Sequence, residues 1–163
     1  MKLVIEFGSL SVLAAAVGAV FGGLMNWFLE GRRFRREQKI SDLKEKIDRF
    51  YSPLLFHFEN MRSWATWLGD PTTYAFSGDE MHKKLMDMYE IMRSGMRFAS
   101  PEVTKLWFQW QPLATMSRSP SLKDEQRKKF TELSEALHNR LNQDFSAIMN
   151  DYSEEIGEKN QDP

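Results

Sequence analysis

The 163-residue sequence contains no cysteine. That removes disulfides, thiol nucleophiles and thiolate metal sites, and it fits a reducing compartment. An excess of one charge is also missing: 22 Lys and Arg stand against 23 Asp and Glu, for a formal net charge of −1. The global basic field that nucleic-acid binders present is therefore absent, and no nucleic-acid partner is expected. No segment alternates apolar and polar residues with the β-branched enrichment that a half-buried sheet requires. There is no GxxxxGK[ST] loop, no GxGxxG after a strand, no GxSxG elbow and no HExxH. The expectation is an all-α chain that is not an enzyme, with no cofactor, no metal and no small-molecule substrate.

What is present begins with an apolar run. Residues 7–29 read FGSLSVLAAAVGAVFGGLMNWFL, without an ionisable side chain. As a helix this run is about 34 Å long at roughly 1.5 Å per residue, enough for a hydrocarbon core of about 30 Å. A transmembrane helix is expected here, since a buried helix of this kind would need more surrounding protein than an otherwise amphipathic chain supplies. A cleaved signal peptide is the rival, with Ala14, Ala15 and Ala16 imitating a cleavage site. Its positive charge should precede the apolar run, yet Glu6 offsets Lys2 and the basic cluster GRRFRR follows instead.

Arg32, Arg33, Arg35 and Arg36 give the span a direction. Basic residues beside a membrane end stay on the cytoplasmic side, so residues 1–6 are expected outside and the C-terminal domain in the cytoplasm, at the plasma or inner membrane. The same arginines are candidates for lipid headgroup contact, each worth about 1 kcal/mol against an anionic leaflet before screening by salt. Trp27 and Phe28 lie where an interfacial aromatic belt belongs. Ala14, Gly18, Gly22 and Asn26 recur every four residues and include a GxxxG pair. That stripe is a candidate surface for packing against a second membrane helix, with Asn26 as a hydrogen-bonding group.

The remaining chain divides into a basic juxtamembrane helical segment, 30–50, a helical bundle, 51–156, and an acidic disordered tail, 157–163. Ile40, Leu43, Ile47, Phe50 and Leu54 form a heptad-like stripe that continues through Phe58, Met61, Ala65 and Leu68. Pro53 either kinks one long helix or sits in the first turn of a new one capped by Ser52. The near-continuous pattern also admits a linker that transmits motion from the membrane helix. Residues 69–78, GDPTTYAFSG, read as a loop. A helix is expected over 79–97 with Met81, Leu85, Met88 and Met92 inward. Ser100 and Pro101 predict the start of the next, whose apolar positions are Val103, Leu106, Trp107 and Trp110, and which Pro112 ends or bends. After the turn SRSPS, a last helix over 122–156 carries Phe130, Leu133, Leu137, Leu141, Phe145, Ile148 and Tyr152 inward. Together these predict a cytoplasmic four-helix bundle or close variant.

Chemistry-bearing residues are sparse. His57, His82 and His138 fall on three different predicted helices. Glu135 and His138 form a single Glu-x-x-His, whereas a di-metal bundle needs two copies and two further carboxylates, so they read as a surface pair. Aromatic and methionine-rich surface is the more informative feature. Trp64, Trp67, Met86 and Trp110 are candidates for binding a protein partner, while Trp107 and Met88 read as core. The layout of one N-terminal anchor and a helical domain resembles that of many small membrane proteins, without a characterised family to which the string from Phe50 to Leu55 could be attached.

The sequence thus predicts a non-enzymatic, single-pass membrane protein that presents a helical bundle for protein–protein interaction and can self-associate through its membrane helix. The alternative is a signal-transducing or pore-forming, defence-type effector subunit that acts by oligomerising in the membrane. A site built across the bundle for an enzymatic reaction is a third, weaker reading.

Overall fold

The computed structural model describes the backbone of residues 2–67, 81–116 and 123–159, and side chains over 18–65, 83–116 and 123–157. The expected loop at 69–78, the SRSPS turn and residues 160–163 lie outside the described residues. Every regular element among the described residues is helical. Helix α1 runs Lys2–Lys46, followed by a π-helical turn, Ile47–Tyr51, and then α2, Ser52–Trp67. Helix α3 covers Met81–Gly95 and passes into a 3-10 turn, Met96–Phe98. Helices α4, Pro101–Met116, and α5, Asp124–Lys159, complete the chain.

The π turn answers the question that Pro53 raises. Proline has no N–H to give to the carbonyl four residues back, and its ring crowds that carbonyl. Here the preceding N–H, that of Ser52, bonds to the carbonyl of Ile47, five residues back. The helix is thereby widened for one turn, as π bulges do. Ser52 itself has helical dihedrals, φ −60° and ψ −46°, so it does not cap a new helix. One extra residue in the turn also changes which side chains face inward. Phe50 and Tyr51 are both buried, and so are Leu54 and Leu55. A strict heptad would have hidden one of each pair.

Two compact units are defined, 1–41 and 42–163. The second has its own core, built from Phe50, Tyr51, Leu54, Phe58 and Met61 on one side of the sequence and Leu85, Met88, Met92, Val103, Trp107, Trp110, Phe130, Leu137 and Leu141 on the other. Trp107 and Trp110 have ring centroids 5.1 Å apart, and Trp110 lies 5.5 Å from Phe58 and 6.0 Å from Phe130. Aromatic pairs at such separations add to the apolar burial that holds a bundle together.

Local signals account for the helix ends. Ser100 Oγ accepts from the Val103 N–H at 3.3 Å and its carbonyl accepts from the Thr104 N–H at 3.0 Å, which is the N-cap expected before Pro101. Lys123 opens α5 by donating its N–H to Gln126 Oε1 at 3.2 Å, while the Gln126 N–H returns to its carbonyl at 2.9 Å. Pro112 does not end α4, which continues four residues further to Met116. It sits on the exposed face, where water can meet the carbonyl that its missing N–H leaves unbonded. Helix α5 likewise runs past Gly157 to Lys159, so the first residues assigned to a tail are helical.

Among the described residues, no helix is long and apolar enough to cross a membrane. Described side chains begin at Gly18, so the stretch 7–17 of the apolar run lies outside them.

Candidate functional site

In the unit 1–41, the described part of α1 exposes Val20, Phe21, Leu24, Met25, Trp27, Phe28 and Leu29. At roughly 100° per residue these seven side chains sweep about 200° of the helix circumference. The arc they leave carries Gly22, Gly23 and Asn26. A Cβ added at Gly18, Gly22 or Gly23 would meet nothing within 4 Å. The helix thus has a bulky apolar side and a flat, small-residue side, both uncovered by protein. Exposed apolar area of this extent is unusual on a water-facing monomer and marks a surface made to be covered.

Asn26 does not reach into open space here. Its Nδ2 donates to Glu30 Oε1 at 3.2 Å, one turn on along the same helix. Ala14, the first residue of the predicted stripe, has its side chain outside the described residues. The arginines follow the apolar face directly. Arg32 places its guanidinium 5.1 Å from the Phe28 ring, and Arg35 Nε donates to the Gly31 carbonyl at 3.2 Å. Arg33 and Arg36 are engaged in interactions of their own.

In the unit 42–163, the predicted contact residues separate. Met86 is exposed on α3 and Trp64 is half-buried on α2. The Trp67 side chain lies outside the described residues. Trp110 is a correction: it is fully buried, and its indole Nε1 donates to Ser134 Oγ at 2.8 Å. Ser134 in turn donates to the Phe130 carbonyl at 2.8 Å, so the buried Trp110 N–H and Ser134 hydroxyl are both matched. Trp110 is an interior residue and offers no contact surface. Phe108, from the aromatic cluster on α4, is exposed, and so are Phe56 and Met116, which the sequence did not single out.

His138 is a second correction. Glu135 is exposed, but His138 is 2% exposed and does not form a surface pair with it. Its Nε2 lies 3.1 Å from Glu59 Oε1 of α2, and its ring stacks on Phe58 at a centroid distance of 5.7 Å. Burial depresses the His138 pKa, the Glu59 carboxylate opposes that shift, and nearby Arg62 adds to it. His57 is also lowered, by burial first, with Asp87 opposing and Lys84 assisting. Among the described residues, no group of three or more His, Asp or Glu side chains could hold a metal ion.

A third polar cluster surrounds the π turn. Tyr51 OH donates to the Phe98 carbonyl at 3.1 Å. Burial, reinforced by the charge of Asp144, pushes the Tyr51 pKa up to about 12. The phenol therefore stays protonated and acts as a donor near neutrality. Arg140 Nη2 bonds Asp144 Oδ1 at 2.9 Å and reaches Glu102 Oε2 at 3.6 Å, tying α5 to α4. This cluster joins a phenol, a guanidinium and carboxylates as a strut between helices, with Arg140 Nε and Asp144 Oδ2 buried without a hydrogen-bond partner. Sequence reasoning missed it because Tyr51 faces inward only through the extra residue of the π turn.

Comparison with protein-family models, with curated proteins and with solved structures returns no match.

Proposed function

We propose that this is a non-enzymatic, single-pass membrane protein that holds a helical bundle at the cytoplasmic face for interaction with a protein partner. The observation that carries the reading is the uncovered apolar surface of α1 between Val20 and Leu29, ending at Arg32, Arg33, Arg35 and Arg36. Water would solvate such a surface at a cost of about 25 cal/mol per Å² of apolar area, whereas hydrocarbon would not. Residues 7–29 supply the length for a span, and the arginines supply the side. The four-residue spacing of Gly18, Gly22 and Asn26, with Gly22, Gly23 and Asn26 on the flat arc, supports self-association, because small residues let two helices approach closely. Exposed Met86 and half-buried Trp64 support a protein-binding role for the bundle.

The test is made on the full chain in membranes. Alkaline extraction should leave the protein in the pellet, and a C-terminal reporter should register the cytoplasm. Release of the chain into the supernatant would reject the anchor, and an extracytoplasmic signal would reverse the topology. Crosslinking should yield dimers that decline with Gly18→Leu and Gly22→Leu. Ion leakage that follows expression and disappears with Asn26→Leu would replace the interaction reading with the pore-forming one.

A further inference from the structure

Helix α1 carries a notch of about 340 Å³, lined by Trp27, Phe28, Glu30, Gly31, Phe34 and Arg35. Its origin is simple. Helical side chains lean back toward the N-terminus and cover the turn before their own Cα. Phe34 and Arg35 therefore lean over the turn at Gly31, and Gly31 has nothing there to meet them. A Cβ on Gly31 would find no atom within 4 Å. Trp27 and Phe28 wall the notch one turn earlier, and both are exposed, as is Phe34.

We propose that this notch binds one anionic phospholipid of the bilayer, with the phosphate at Arg35 and the apolar part of the lipid against Trp27 and Phe34. The proposal rests on the anchor reading and names the ligand of that surface. Charge complementarity commits it to an anionic amphiphile. An aromatic-walled cleft is lined by Arg35, with Arg32 set against its Phe28 wall. Arg35 is already positioned: its Nε is held by the Gly31 carbonyl at 3.2 Å, which directs the terminal N–H groups of the planar fork outward. Arg32 stacks on Phe28 at 5.1 Å and keeps a second guanidinium on the adjoining side. Glu30 is the one opposing charge on the rim. The Asn26 amide draws its carboxylate back toward the preceding turn at 3.2 Å, which limits its repulsion of a phosphate. The site is thus a pairing of amphipathic aromatics with a fixed cation at the depth where headgroups lie.

The experiment uses the full chain in vesicles of phosphatidylcholine with and without phosphatidylglycerol. Flotation reads insertion, and native mass spectrometry of gently released protein reads which lipid stays bound. The wild-type chain should float and retain phosphatidylglycerol over phosphatidylcholine. Arg35→Gln should lower that preference about fivefold, the factor expected for one basic residue at an anionic surface. Gly31→Leu should float equally and lose the preference by filling the notch. Equal retention of both lipids by the wild type would overturn the notch, and so would an unchanged preference in Gly31→Leu. In either case flotation leaves the anchor standing. Failure to float overturns the anchor and the notch together.

Discussion

Single residues in the bundle carry well-defined costs. Gly95 lies where a Cβ would come 2.5 Å from Phe50 Cδ2 and 3.3 Å from Phe50 Cβ, and the Phe50 ring is fully buried. The φ of Gly95 is −108°, so the glycine is there for the close approach and not for an unusual backbone. Alanine would gain about 1 kcal/mol of helix propensity. The displaced ring should cost about 1–3 kcal/mol, and displacement should win because both neighbours are packed. Gly95→Ala should therefore lower the denaturation midpoint; an unchanged or raised midpoint would mean that Phe50 has room to move. Ser134→Ala removes the acceptor of the buried Trp110 N–H and should cost about 1–3 kcal/mol, measured the same way.

His138 gives the bundle a pH dependence with a definite sign. Its folded-state pKa lies below 6.5, so the unfolded chain binds protons more readily. Stability should be level above 6.5 and fall as the pH drops below it toward the folded value. His57, lowered in the same direction, adds to the loss. Denaturation from about pH 7.5 to about pH 5.5 should show this decline, and it should be shallower in His138→Gln. An equal slope in that variant would remove His138 as the source.

At the scale of elements, the all-α class and most inward stripes were legible because apolar spacing follows helix geometry directly. Leu85, Met88 and Met92 on α3 and Leu137 and Leu141 on α5 are buried as their spacing requires. Ser134 and His138 were not legible, since polar residues beside a stripe are ordinarily solvated and only a partner on another helix allows burial. The site on α1 was legible in its residue types but not in its shape, because the notch depends on which way Phe34 and Arg35 lean. Tyr51 and Leu55 were hidden for a different reason: the π turn adds a residue, and period counting assumes 3.6. Phe50 and Tyr51 also favour that turn, through their burial and the Tyr51 bond to the Phe98 carbonyl. Pro53→Ala should thus be mild and leave the helical signal unchanged, whereas Phe50→Ala should cost about 3–5 kcal/mol. If Pro53→Ala proves the more damaging, the proline alone sets the turn.

For the whole molecule, the division into units 1–41 and 42–163 makes a physical claim about where stability resides. Every buried apolar residue among the described ones falls between Leu43 and Leu141. Tyr51, Glu102, Arg140 and Asp144, and the Trp110–Ser134 pair, lie in the same unit. A domain of this size can fold on its own core without metal or disulfide. The fragment 42–163 should therefore remain in solution and unfold in one cooperative helical transition. Its midpoint should match that of the bundle in the detergent-solubilised full chain, since no described residue of the removed segment belongs to that core. The fragment should also fail to float with vesicles that carry the full chain, because the exposed apolar run and the arginine cluster are gone. Circular dichroism on denaturation and a flotation assay check the two halves separately. A fragment that folds yet still floats would move the membrane-binding surface into the bundle, where exposed Phe56, Phe108 and Met116 would be the groups to change next.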